Sequence, residues 1–215
     1  MTYILFDLDG TLSDNSVGIQ GGVVRALERF GRKVREEDLW RYIGPPILDS
    51  FQKYDGLTLD EAQEGIGYYR EYYQEKGIYE NILYDGIIEV LENLHGADYR
   101  LVVATAKPEP FAKAILEKFG VAHFFEGIYG ASMDNSRIHK EDVIEYCLRE
   151  QGISAEDAVM IGDREHDILG AKTHGLRSIG VLYGFGSREE LESAGADEIV
   201  MLPKDIPQAI QKVFS

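Results

Sequence analysis

Two pairs of aspartates set the chemical question in this sequence. Asp7 and Asp9 stand in Phe6-Asp7-Leu8-Asp9-Gly10-Thr11, directly after the apolar run Tyr3-Ile4-Leu5-Phe6. Asp163 and Asp167 stand in Gly162-Asp163-Arg164-Glu165-His166-Asp167, after a second apolar run. An apolar strand before each pair puts the acids at its carboxyl end, and the i,i+4 spacing of the second pair sets both on one face of a helix start. Four carboxylates in one pocket repel, and at neutral pH they need a cation or raised pKa values. Hard oxygen donors facing a phosphate favour Mg²⁺. Taken singly, Asp9-Gly10 is a common turn signal and Asp163 a common helix N-cap. Only further groups in the right order turn the acids into a site.

Two such groups follow. Thr105 ends an apolar run, and Lys107-Pro108 after it reads as a helix start with proline in the first turn. A hydroxyl and backbone N–H groups there can hold a phosphate. Lys140 opens a later helical stretch, within Ile138-His139-Lys140-Glu141-Asp142-Val143. A lysine facing the carboxylates would hold an attacking aspartate near phosphorus and offset charge in the transition state. Alone, Lys140 would read as a solvated surface lysine. Arg164, beside Asp163, is a candidate to steady the carboxylates. Cys147 lies mid-helix among Val143, Ile144 and Leu148 and reads as buried packing rather than as a nucleophile.

The elements that must position these groups alternate along the chain. Expected strands are Tyr3–Phe6, Leu101–Ala104, Gly127–Tyr129, Ala158–Ile161, Ser178–Val181 and Glu198–Val200, with helices between the later ones. Such alternation implies a Rossmann-like α/β core: a parallel sheet covered by helices on both faces, its working residues beyond the carboxyl ends of the strands. Residues 16–81 break the rhythm. They hold helical segments, including Gly18–Phe30 and Leu59–Glu75, and no convincing strand. The expected organisation is a catalytic core of residues 1–15 and 82–215, with a small α-helical cap, residues 16–81, inserted after the first strand. Tyr68, Tyr69, Tyr72 and Tyr73 are expected to pack the cap's own core. Gly44-Pro45-Pro46 reads as a rigid break between cap helices, and Gly44 and Pro45 are expected to face the substrate and help close the site.

Bulk properties narrow the function further. The 215 residues carry a net charge of −16, which argues against nucleic-acid polymers and membrane surfaces as partners. A phosphate-handling site in so acidic a chain must supply its own positive charge. No apolar run approaches the ~18–20 residues of a membrane span. The basic flank of a signal peptide is missing, and a single cysteine suits a reducing compartment. The expected location is the cytoplasm, as a monomer or weak homodimer.

Asp7-Leu8-Asp9-Gly10-Thr11, Thr105, Lys140 and Gly162-Asp163…Asp167 together resemble the four motifs of the haloacid dehalogenase-like superfamily. The helical insert lies where that family carries its cap. Within the family the chain is similar to phosphoglycolate phosphatase-like proteins. Ile43-Gly44-Pro45-Pro46, Gly162-Asp163-Arg164 and Gly180-Val181-Leu182-Tyr183-Gly184-Phe185-Gly186 are similar to its 5′-nucleotidase-like branch. The resemblance implies an Mg²⁺-dependent phosphatase acting on a small phosphorylated metabolite. Asp7 would be the nucleophile and a metal ligand. Asp9 would move protons, its carbonyl touching the metal, and Asp163 would be the third ligand, with Asp167 beside it. Thr105 and Lys140 would hold the phosphoryl oxygens. Gly10, Thr11, Ala106 and Lys107 would line the substrate. Ala106 departs from the pattern, since many relatives carry a second polar residue there; either Lys107 compensates as a phosphate or substrate contact, or this position tunes specificity. A phosphomutase of the β-phosphoglucomutase type is the nearest alternative, disfavoured by Thr11, where those mutases usually carry Val. A receiver-like signalling domain would lack the helical insert.

Overall fold

The computed structural model describes residues 1–97 and 99–215. They divide into two compact units: Met1–Asp14 with Leu83–Ser215, and Asn15–Ile82. In chain order the elements are β1 (Tyr3–Phe6), β2 (Ser13–Asp14), α1 (Ser16–Arg29), α2 (Ile47–Asp55), α3 (Leu59–Glu75), β3 (Ile82–Leu83) and α4 (Ile87–Gly96). There follow β4 (Arg100–Pro108), α5 (Glu109–Lys118), β5 (Phe125–Ala131), α6 (Lys140–Gln151), β6 (Ala158–Gly162) and α7 (Glu165–Thr173). The chain closes with β7 (Arg177–Val181), α8 (Arg188–Ala194), β8 (Glu198–Val200) and α9 (Ile206–Val213).

The larger unit is built on a six-stranded sheet in the order β5-β4-β1-β6-β7-β8. Every pairing in it is parallel. Strands covered by helices on both faces read as continuous apolar runs, which is why Leu101–Ala104 and Ala158–Ile161 are so legible. Leu5, Val102 and Met160 pack with Val143, Ile144 and Cys147 of α6 in one buried cluster. The fully buried Cys147 is packing, as its helical context implies. From β1 the chain order runs outward through β4 and β5 on one side and through β6, β7 and β8 on the other. That reversal makes the carboxyl end of β1 a topological switch point, where open α/β sheets place their ligands.

Two local details differ from the sequence reading. Pro108 belongs to β4, not to the following helix; α5 starts at Glu109, and its first-turn proline is Pro110. The β4–β5 register shifts between Thr105 and Pro108, so Ala106 and Lys107 form a bulge. Bulges beside functional sites re-aim side chains. Helix α4 is an additional element, starting from Gly86 at φ +87 without a side-chain cap.

The smaller unit is helical. Thr58 and Glu61 form a reciprocal capping box at the start of α3, with Thr58 N donating to Glu61 Oε2 at 2.8 Å. The rings of Tyr69 and Tyr73 stack 5.6 Å apart, both buried. A β-carbon at Gly22 of α1 would lie 2.6 Å from the Tyr69 ring, so glycine lets α1 and α3 approach closely. Gly44, at φ +102, and Pro45 form the bend that leads into α2.

Candidate active site

The carboxyl ends of β1, β4 and β6 and the start of α6 bring the acids and both lysines into one region. Asp7, Asp163 and Asp167 are each buried, and one carboxylate oxygen from each lies within 4.8 Å of the others. Lys140, the first residue of α6, places its buried Nζ 2.7 Å from Asp7 Oδ1 and 2.7 Å from Asp167 Oδ1. The same Nζ donates to the Ala104 carbonyl at 3.0 Å. Lysine here is far from a surface residue. Its burial opposes the charged form, but the Asp167 and Asp7 charges outweigh that and raise its pKa.

The acids shift upward as well, but for them the rise disfavours the charged form. Burial pushes Asp163 well above the usual carboxylate range, and the Asp167 and Asp7 charges add to the rise. Asp167 rises to about 6, chiefly by burial, while Lys140 pulls it down. Three carboxylates and one ammonium carry −3 + 1 = −2 when all are ionised, and a divalent cation matches that charge. The donors are all hard oxygens. The residues fit Mg²⁺.

Asp9 stands apart from this cluster. Its Oδ2 lies 2.8 Å from Nζ of Lys107, whose side chain is 3% exposed. The bulge after Thr105 thus aims Lys107 at Asp9. Thr105 is buried at the end of β4, and its Oγ1 accepts the Lys107 N–H at 3.2 Å. Ala106 is half-buried within the same bulge.

Gly10 explains why DxDG ends in glycine. Its φ is +86, and a β-carbon there would collide with the Asp163 carboxylate. Thr11 is fully buried, its Oγ1 3.5 Å from Asp163 Oδ1. Asp163 sits in the turn between β6 and α7, while Asp167 is the third residue of α7 and accepts the Arg164 backbone N–H at 3.1 Å. Arg164 differs from expectation: its Nε donates to Glu190 at 2.7 Å, and Glu190 also accepts from Glu165 N at 2.9 Å. Its charge still lowers the Asp163 pKa somewhat. Neither Glu190 nor the Phe185 N–H that meets Asp163 Oδ2 at 2.8 Å carries a local sequence signal. Both reach the site from elements more than twenty residues away. Gly44 and Pro45 belong to the helical unit, at the bend before α2.

The profile described as Haloacid dehalogenase-like hydrolase matches residues 4–181. A 5′-nucleotidase of Pseudomonas aeruginosa is 47% identical over 193 residues, covering 88% of this chain and 86% of the relative. Tyrosine-protein kinase PtkA of Mycobacterium tuberculosis is 42% identical over 190 residues, 88% of this chain but 65% of the relative. A Phosphoglycolate phosphatase of Colwellia psychrerythraea is 29% identical, with 89% of each chain covered. Among solved structures, a predicted phosphatase from Clostridium acetobutylicum superposes with a TM-score of 0.96 at 45% identity, covering 98% of both chains. The family match covers residues 4–181, most of the chain, and the chain belongs to the haloacid dehalogenase-like hydrolase family, as a phosphatase.

Proposed function

We propose that this chain is an Mg²⁺-dependent phosphatase that hydrolyses a small soluble phosphomonoester through an aspartyl-phosphate on Asp7. The observation that supports it best is the buried Asp7–Asp163–Asp167 triad with Lys140 as its cation. Asp7, Asp163 and the Asp9 main-chain carbonyl would hold the ion. Asp167 would stand beside them, its Oδ1 held by Lys140 and its Oδ2 by the Arg164 N–H. When bound, the ion supplies the positive charge that offsets the incoming phosphate dianion.

The protein's own groups divide the remaining work. Lys140 fixes the Asp7 carboxylate, which attacks phosphorus as the bond from phosphorus to the leaving oxygen breaks. The leaving oxygen takes its proton from Asp9, which enters the step protonated and ends it as the carboxylate paired with Lys107. Asp9 then accepts a proton from water as that water attacks the phosphorus of the aspartyl-phosphate, releasing phosphate and restoring Asp7. Lys107 orients Asp9 for both transfers. Thr105 and Lys140 would hold the phosphoryl oxygens, with Gly10, Thr11, Ala106 and Lys107 lining the approach and Gly44 and Pro45 closing it. The cytoplasm is the proposed location, consistent with a lone buried Cys147. Among the described residues no helix is long and apolar enough to cross a membrane.

Nucleoside 5′-monophosphates are the leading substrate class, because the relative named for them shares 47% identity, and phosphoglycolate is the next. The likeness to PtkA raises a second reading, phosphoryl transfer to a tyrosine hydroxyl. A screen of phosphorylated metabolites, with Mg²⁺ or EDTA, separates the possibilities. Phosphate release from a nucleoside monophosphate, lost in EDTA, is the expected result. Phosphorylated tyrosine without phosphate release would favour transfer, and turnover undiminished in EDTA would refute the Mg²⁺ reading.

A further inference from the structure

We infer that the segment Tyr183–Gly186 is a positioning device that holds Asp163 as a one-oxygen ligand and thereby favours Mg²⁺ over Ca²⁺. The inference rests on the Mg²⁺ reading of the site. The segment follows β7 and carries no acid or base of its own, yet it touches the site at four points. Phe185 N donates to Asp163 Oδ2 at 2.8 Å. The Tyr183 hydroxyl donates to the Thr11 carbonyl at 3.0 Å. A β-carbon at Gly184 would collide with the Gly10 carbonyl and the Asp163 side chain, and one at Gly186 with the Asp163 carbonyl. Both positions must therefore be glycine for the segment to lie this close.

These contacts act on one carboxylate. Oδ2 of Asp163 is committed to the Phe185 N–H at 2.8 Å, which leaves Oδ1, whose bond from the Thr11 hydroxyl is long at 3.5 Å, for a cation. The Tyr183 bond ties the same segment to the turn that contains Asp9, Gly10 and Thr11, so the two sides of Asp163 are held in register. The Tyr183 ring is itself braced edge-on by Tyr84, with centroids 5.1 Å apart. Mg²⁺ demands near-octahedral geometry with short bonds, whereas Ca²⁺ takes six to eight oxygens and readily uses both oxygens of a carboxylate. A carboxylate pinned by one oxygen suits the first ion and penalises the second.

The test is calorimetric titration of the metal-free protein with MgCl₂ and, separately, with CaCl₂. Tyr183→Phe keeps the ring and its packing while removing the hydroxyl. It is expected to weaken Mg²⁺ binding about tenfold, in the range usual for loss of a group that orients a ligand, and to weaken Ca²⁺ less than about threefold. Asp197→Asn serves as the structural control. Asp197 Oδ2 accepts from Ser178 N at 2.7 Å, away from the acids, so this variant is expected to lower the unfolding midpoint and leave both affinities unchanged. Equal shifts for the two ions in Tyr183→Phe, or no shift in either, would overturn the inference. So would affinity losses matched by Asp197→Asn. A wild-type protein that bound no Mg²⁺ would instead overturn the Mg²⁺ reading beneath it.

Discussion

Two lysines sit among the acids of this site in opposite circumstances. Lys107 faces one carboxylate, that of Asp9, at 2.8 Å, and the pair sums to −1 + 1 = 0. Lys140 is shared by Asp7 and Asp167 with Asp163 close by, and that cluster sums to −3 + 1 = −2. The balanced pair needs no further charge. The unbalanced cluster is buried, so its excess cannot be screened by water and must be relieved by a cation or by protonation. The difference teaches where the ion belongs and which acid is left to proton transfer. It also shows how a chain of charge −16 can admit a phosphate: the positive charge is local, and part of it is recruited.

The comparison breaks first at Lys140. Lys140→Met leaves three buried carboxylates without their ammonium, and breaking such a buried arrangement costs about 3–5 kcal/mol. Urea unfolding in EDTA is expected to register that loss, with Mg²⁺ recovering part of it. Unchanged stability in EDTA would mean that the cluster is not frustrated.

Lys107→Met sharpens the contrast. It removes the partner of the proton-moving acid without touching the cluster, so turnover should fall about 10–100-fold while Mg²⁺ affinity stays within about twofold. Steady-state kinetics and calorimetry on the same preparation read the two quantities. A large loss of Mg²⁺ affinity would merge the two clusters into one.

The smallest expected effect is a pH dependence. Burial raises the Asp167 pKa from 3.8 to about 6, so the folded protein binds that proton more readily than the unfolded chain. Stability contributed by this group therefore falls as pH rises through that window. In EDTA, moving from pH 7 to pH 5 should recover about 1 kcal/mol, and Asp167→Asn should flatten the response. A metal-free protein whose stability rose between pH 7 and pH 5 as steeply in Asp167→Asn as in wild type would contradict the assignment.

Much of this was readable in advance, for identifiable reasons. Strands buried on both faces leave continuous apolar runs, and the acids follow two of them directly. The Asp163–Asp167 spacing likewise survives in the fold because a turn and one helical turn fix it locally. What escaped was set by tertiary context. Pro108 looked like a helix start, yet the strand runs on through a bulge that sends Lys107 towards Asp9. Helix α4 begins at Gly86 with no capping side chain, so its usual start signal is missing. The partnership of Arg164 with Glu190 joins residues 26 apart, and that of Phe185 with Asp163 residues 22 apart. Neither pairing has a local pattern to announce it.

The central claim is that Asp7 attacks phosphorus. Its most direct test is Mg²⁺-dependent phosphate release by Asp7→Asn, compared with wild type on the best nucleoside 5′-monophosphate. Loss of a nucleophile that forms a covalent intermediate predicts a fall of at least about 10⁴-fold in turnover, with the variant still folded. Full turnover by folded Asp7→Asn would contradict the account.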